Sequence, residues 1–126
     1  MKRVVYDTGV LIAADRNERK VWAEHKVRLE AGMPPLVATP ALAQASRSPE
    51  QAQLRRFLRG CEVVPFKETD AHRAGALLKK SRTRDVVDAA VVVLALEHDA
   101  SIVSGDEQDL ARLLRAAQSK LPIEPI

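Results

Sequence analysis

The chain has 126 residues, with 20 Lys plus Arg against 17 Asp plus Glu and a formal net charge of +3. Apolar residues make up 46% and charged residues 29%, the composition of a folded domain rather than a disordered segment; at this length one core and one domain over residues 1–126 are expected. Four aromatic residues (Tyr6, Trp22, Phe57 and Phe66) and a single cysteine, Cys61, argue against base-stacking platforms, a disulfide framework and a multi-thiolate zinc site.

Taken in order, residues 3–6 (RVVY) read as a short strand that ends at Asp7, ahead of a second apolar run, Val10-Leu11-Ile12. The stretch from Val4 to Ala14 is interrupted by Asp7 and lacks the layout of a signal peptide. No segment approaches the roughly 20 apolar residues that span a bilayer. A soluble cytoplasmic protein with no membrane attachment is therefore expected. Trp22 falls in a helical pattern with Val21, Val27 and Leu29, suited to the core or to a dimer contact. Residues 36–38 (LVA) form a second strand, and Thr39-Pro40 reads as an N-cap before a proline at the first helical position. Ser48-Pro49-Glu50-Gln51 has the spacing of a capping box. Residues 62–65 (EVVP) give a third strand, with Cys61 as a small buried residue at its start.

Thr69 and Thr83 are positioned to cap two further helices. The segment 86–96 (VVDAAVVVLAL) is apolar almost all round and predicts a helix buried at the centre of the molecule. Residues 101–104 (SIVS) make a fourth strand, 121–124 (LPIE) a weaker fifth, and Asp106 is a candidate cap between them. Short strands alternating with helix-length connections imply parallel neighbours. The expected fold is a three-layer α/β/α sandwich with a mostly parallel central sheet of four or five strands.

Ligands in such folds bind beyond the carboxyl ends of the strands, and acids gather at those places. Asp7 ends the first strand and Asp106 follows the fourth. Asp85 and Asp88 lie three apart at the start of the buried helix, as do Asp106 and Asp109 on the next, so each pair shares a helical face. Asp85 alone suits the helix macrodipole, and Asp106 alone suits an N-cap with Asp109 behind it. Asp7 has no evident structural duty, and an unpaired Asp88 amid VVDAAVVV would be expensive. Carboxylates brought together raise one another's pKa unless a cation neutralises them. With no His or Cys in these segments, the hard oxygen set points to Mg²⁺ or Mn²⁺ and to hydrolysis of a phosphodiester.

These motifs resemble the PIN-domain family, metal-dependent ribonucleases that include the VapC-type toxins of toxin–antitoxin pairs. VVYDTGVLIA (4–13) is similar to the family's opening strand and Asp-Thr/Ser signature. DVVDAAVVVLALEHDASIVSGDEQDL (85–110) is similar to its helix, strand and final acidic turn. The resemblance makes Asp7, Asp88 and Asp106 the catalytic, metal-binding acids, with Asp85 and Asp109 as neighbouring acids. Thr8 and Ser104 keep supporting hydroxyls. One departure stands out: in TPALAQASR (39–47), Gln44 occupies the position where the family usually has Glu, and it brings no charge. The implied activity is a metal-dependent endoribonuclease. The alternative is an attenuated module that keeps the fold and binds RNA or a protein partner. A phosphoryl-transfer domain fits less well, because Thr8 and Gly9 follow Asp7 where its motifs demand acids.

Lys79-Lys80-Ser81-Arg82-Thr83-Arg84 sets four cations directly before Asp85, and Arg47, Arg55, Arg56 and Arg59 form a second basic group. Arg82 and Arg84 are the candidate RNA contacts; cations also suit helix C-termini and solvated faces. His25, His72 and His98 have no metal-ligand spacing. The resemblance further implies an RNA substrate, a homodimer and a cognate antitoxin.

Overall fold

The computed structural model describes residues 2–126. Five strands, β1 (Val4–Tyr6), β2 (Leu36–Ala38), β3 (Glu62–Val64), β4 (Ser101–Val103) and β5 (Ile123–Glu124), form one sheet in the order β3-β2-β1-β4-β5. Every pairing is parallel. The central strands β1, β2 and β4 are buried throughout, as expected for strands covered on both faces. The edge strand β3 is largely exposed, and its Glu62 pairs with Arg3 at 3.0 Å.

Among the described residues seven helices connect the strands: α1 (Thr8–Asp15), α2 (Arg19–Glu30), α3 (Thr39–Ala45), α4 (Ala52–Leu58), α5 (Glu68–Ser81), α6 (Val86–His98) and α7 (Gln108–Ala116). Helix α1 packs on α2, α3 and α4, α5, α6 and α7 pack on one another, and α3 also meets α6. The sheet lies between these two groups in an α/β/α sandwich, and right-handed crossovers account for the division. Connections from β1 to β2 and from β2 to β3 advance one way across the sheet. The return from β3 to β4 reverses direction and so crosses the opposite face.

The apolar run at 86–96 is a helix, with Ala89 to Ala95 all buried. It packs against β1, β2 and β4. Its small Val and Ala side chains let it approach the sheet closely, each buried Val contributing roughly 1.5–3 kcal/mol.

Several helix starts differ from the sequence reading. Thr39 is the first residue of α3 rather than its cap, because its hydroxyl accepts the Phe66 N–H at 3.1 Å and ties α3 to the loop after β3. The Ser48–Gln51 motif closes a free-standing turn: the Gln51 side-chain oxygen accepts from the backbone N–H of Arg47 and Ser48, and α4 begins only at Ala52. The donor at the start of α4 is met from elsewhere, as Asp15 at the end of α1 accepts the Leu54 N–H at 3.3 Å. Thr69 lies inside α5, where Asp70 accepts the Lys67 N–H at 3.0 Å. Thr83 bonds Ser81 instead of capping α6, and Glu107 rather than Asp106 precedes α7.

A polar cluster sits within the core between β1, α2 and α4. The Tyr6 hydroxyl lies 2.9 Å from His25 Nδ1 and accepts from Arg28 at 3.2 Å. The His25 ring stacks on Phe57 at 3.9 Å between centroids, and Trp22 packs edge-on to Phe57 while donating to the Ala14 carbonyl at 3.0 Å. Burial holds the His25 imidazole down at about 4; since the Tyr6 oxygen already accepts from Arg28, its hydroxyl hydrogen is the one left to bridge to Nδ1 of the neutral ring. Cys61 is partly buried with its thiol directed at the Phe57 carbonyl, and burial pushes it up to about 12.

Candidate active site

The chain reverses its progress across the sheet between β1 and β4, and this switch point opens a crevice at their carboxyl ends. The register Tyr6↔Val103 sets the two strand ends side by side, so the next residues, Asp7 and Ser104, face each other. The Asp7 N–H donates to the Val103 carbonyl at 3.2 Å. The buried Ser104 hydroxyl donates to the Asp7 carboxylate and accepts the Asp106 N–H at 3.0 Å. One hydroxyl thus couples the acid after β1 to the acidic turn after β4.

Asp7 does have a structural duty that the sequence reading missed. Its Oδ1 accepts the Val10 N–H at 3.3 Å and caps α1. Asp85 does the same for α6, accepting the Asp88 N–H at 3.0 Å. Asp88 then occupies the first turn of α6, and Asp109 the first turn of α7. The acids therefore sit at three helix N-termini, where backbone N–H groups and the macrodipole favour negative charge.

That support does not cancel the crowding. Burial raises the Asp88 carboxyl to about 7, aided by the charges of Asp85, Asp7, Asp109 and Asp106. Asp7 is also raised, chiefly by burial, against hydrogen bonds from Ser104, Val10 and Gly9 that hold it down. Among the described residues, no Lys, Arg or His forms an ion pair with Asp7, Asp85, Asp88 or Asp106; Asp109 has Arg112 at 4.0 Å. The Thr8 hydroxyl, next to Asp7, is buried without a hydrogen-bond partner among the described residues. A hard divalent cation suits this donor set, since it would neutralise acids that no side chain neutralises. Among the described residues, no three His, Cys, Asp or Glu side chains are already drawn together at ligand spacing.

None of the remaining sequence candidates hydrogen-bonds or ion-pairs with these acids among the described residues. Gln44 is exposed near the end of α3, without a side-chain hydrogen bond among the described residues. Arg82 and Arg84 are exposed in the link from α5 to α6, where Arg82 closes α5 in the left-handed conformation at φ 59°. Several arginines of the second basic group serve local structure: Arg47 and Arg55 bond backbone carbonyls, and Arg56 lies 4.3 Å above the Trp22 ring. One neighbour of the crevice had no sequence signal. Parallel pairing of β5 with β4 carries Ile126 alongside Gly105 and Gly9. A β-carbon on Gly105 would meet the Ile126 side chain at 3.2 Å, so an apolar wall stands next to Asp7.

Comparison with known proteins adds a family. The family model described as "PIN domain" matches residues 4–115. No curated protein matches at a significant level. Among solved structures, the chain is similar to VapBC from Salmonella typhimurium bound to DNA (TM-score 0.74, 17% identity, 99% of this chain and 98% of that chain). It is also similar to VapBC2 from Rickettsia felis bound to a promoter DNA fragment (TM-score 0.73, 15% identity, 98% of each chain). A third is FitAcB from Neisseria gonorrhoeae (TM-score 0.66, 12% identity, 96% of each chain). At these identities the likeness is one of fold.

Proposed function

The chain belongs to the PIN domain family, and on that premise we propose that it is a metal-dependent endoribonuclease, a single domain over residues 1–126 that serves as the toxin of a toxin–antitoxin pair. The observation that carries this reading is the gathering of Asp7, Asp85, Asp88, Asp106 and Asp109 at the switch point of the sheet, where among the described residues only Asp109 has a cationic partner. Asp7, Asp88 and Asp106 would hold Mg²⁺ or Mn²⁺, with Asp85 and Asp109 adding negative charge around them. Such an ion, when bound, supplies a Lewis acid and lowers the pKa of water for attack on a phosphodiester.

The chain's own residues have distinct duties in this reading. Ser104 orients Asp7 and anchors the turn that presents Asp106. Asp85 fixes the first turn of α6, and with it Asp88. Arg82 and Arg84 meet the RNA backbone at the rim. The antitoxin and homodimer assignments draw on the resemblance to VapC-type toxins and on the toxin–antitoxin proteins sharing the fold. No helix among the described residues is long and apolar enough to cross a membrane.

Purified protein should cleave RNA with Mg²⁺ or Mn²⁺, stop in excess EDTA, and lose activity on Asp7→Asn. Cleavage that survives both EDTA and the substitution would overturn the proposal. Gln44 favours a second reading, a module with weakened metal binding that contacts RNA or a protein without cutting. Calorimetry separates the two: no uptake of Mn²⁺ at millimolar concentration supports the binding module, and tighter Mn²⁺ binding by Gln44→Glu places residue 44 at the metal.

A further inference from the structure

A groove of about 460 Å³ runs between the end of α5 and the outer face of α7, lined by Lys80, Ser81, Arg112, Arg115, Ala116 and Gln118. Three of these residues are cations and none is an acid. Lys80, Arg112 and Arg115 all reach solvent. Among the described residues only Arg112 has an ionic partner, Asp109 at 4.0 Å. Helix dipoles account for Lys80 and Arg115, which lie in the last turns of α5 and α7. They do not account for Arg112 in mid-helix, or for a lining without a single carboxylate beside a crevice crowded with them.

Both walls of the groove lead within a few residues to the acids of that crevice. On α7, Arg112 and Arg115 lie about 4.5 and 9 Å beyond Asp109 along the axis, at about 1.5 Å per residue. On the other wall, Ser81 is four residues before Asp85. The intervening link is pinned by the Ser81–Thr83 hydroxyl pair at 2.8 Å and by the Thr83 N–H on the Leu78 carbonyl at 3.2 Å. A polyanionic strand with one phosphate at the carboxylates therefore finds cations and neutral hydrogen-bonding groups as it leaves on this side. Resting on the nuclease reading above, we propose that the α5–α7 groove is a binding track for the RNA strand flanking the scissile phosphate, with Lys80, Arg112 and Arg115 as its phosphate contacts. It gives the strand a path away from acids that would repel it, and the contacts are to backbone, so they carry affinity rather than sequence choice.

The test is binding of a labelled single-stranded RNA to the full chain in EDTA, by fluorescence anisotropy between about 50 and 200 mM salt. For single strands the slope of log affinity against log salt is about −0.7 per phosphate neutralised. Lys80→Gln/Arg112→Gln/Arg115→Gln should therefore flatten the slope by about 2 while its melting temperature stays close to that of the parent. Lys80→Arg/Arg112→Lys/Arg115→Lys should keep the parental slope. A triple Gln variant with unchanged slope and affinity overturns the track, as does one that loses only binding to an acidic peptide, which would assign the groove to a protein. A parent that binds RNA with the expected slope but cleaves none in Mg²⁺ or Mn²⁺ refutes the nuclease reading and leaves the track standing. A cleaving parent whose triple Gln variant binds RNA identically refutes the track alone.

Discussion

Replacing Asp88 with asparagine should stabilise the metal-free protein while abolishing its activity. In the native state the Asp88 carboxyl titrates at about 7, against an ordinary value of 3.8. The folded chain therefore binds more protons than the unfolded chain between those values, and stability falls as pH rises through about 7. Each pH unit of displacement corresponds to about 1.4 kcal/mol, which sets a ceiling of about 4 kcal/mol on the strain carried by ionised Asp88. The carboxyl is only partly buried, so solvent screening reduces this to about 1–2 kcal/mol. An amide at this position keeps the shape without the charge and can donate to the neighbouring carboxylates. Urea denaturation in EDTA should thus find Asp88→Asn more stable than the parent by that amount at about pH 8, with the gap closing toward about pH 5. Added Mn²⁺ should reverse the order at the higher pH, because the ion neutralises the parent's cluster and the variant has lost a ligand. A variant that is destabilised at the higher pH without metal, or a gap independent of pH, would refute the reasoning.

Ser104→Ala removes the donor to Asp7 and the acceptor for the Asp106 N–H. It should cost about 1–2 kcal/mol in denaturant titrations and, by releasing Asp7 to a higher pKa, move the acidic limb of the rate–pH profile upward; Ser104→Thr should restore both. Tyr6→Phe leaves His25 Nδ1 without its donor and leaves Arg28 only its longer pair with Glu24 at 3.9 Å, a loss of about 1–2 kcal/mol at neutral pH. Burial holds His25 at about 4, below its ordinary 6.5, so its contribution is present above 6.5 and is lost as pH falls toward 4. An Asp88→Asn background, free of the opposing trend from Asp88, should show that decline by thermal melting. Asp15→Ala strips the start of α4 of its acceptor, and about 1 kcal/mol of stability with it.

The layered fold was legible because its signals are local. Alternating short apolar runs and helix-length connections mark parallel units, and the length and near-continuous apolarity of 86–96 mark a helix buried on all sides. The candidate acids were legible for a related reason: an acid ending an apolar strand, as at Asp7, or set within an apolar run, as at Asp88, is out of place on hydrophobic grounds alone. Helix starts were less legible. Thr39, Ser48 and Asp106 carry the chemistry of caps, but their bonds go to Phe66, to a free-standing turn and to Ser104. Asp15, distant in sequence, takes up the capping role for α4. His25 carried no sign of its burial because nothing nearby in sequence reveals Tyr6 and Phe57 closing over it.

By itself, then, the sequence determined the kinds of element, the buried helix and the supply of hard oxygen ligands, each set by periodicity and burial within a few turns of chain. Only the tertiary structure decided that β1 and β4 lie side by side in a register that sets Asp7 against Ser104. It also decided that acids from three helix N-termini face one crevice with Ile126 as its apolar wall, and that a groove lined without carboxylates forms between α5 and α7. The physical reason is that a charge is costly or useful according to what faces it. Facing residues, up to 97 positions apart in the Asp7–Ser104 pair, are chosen by strand order and crossover handedness, which no local pattern encodes.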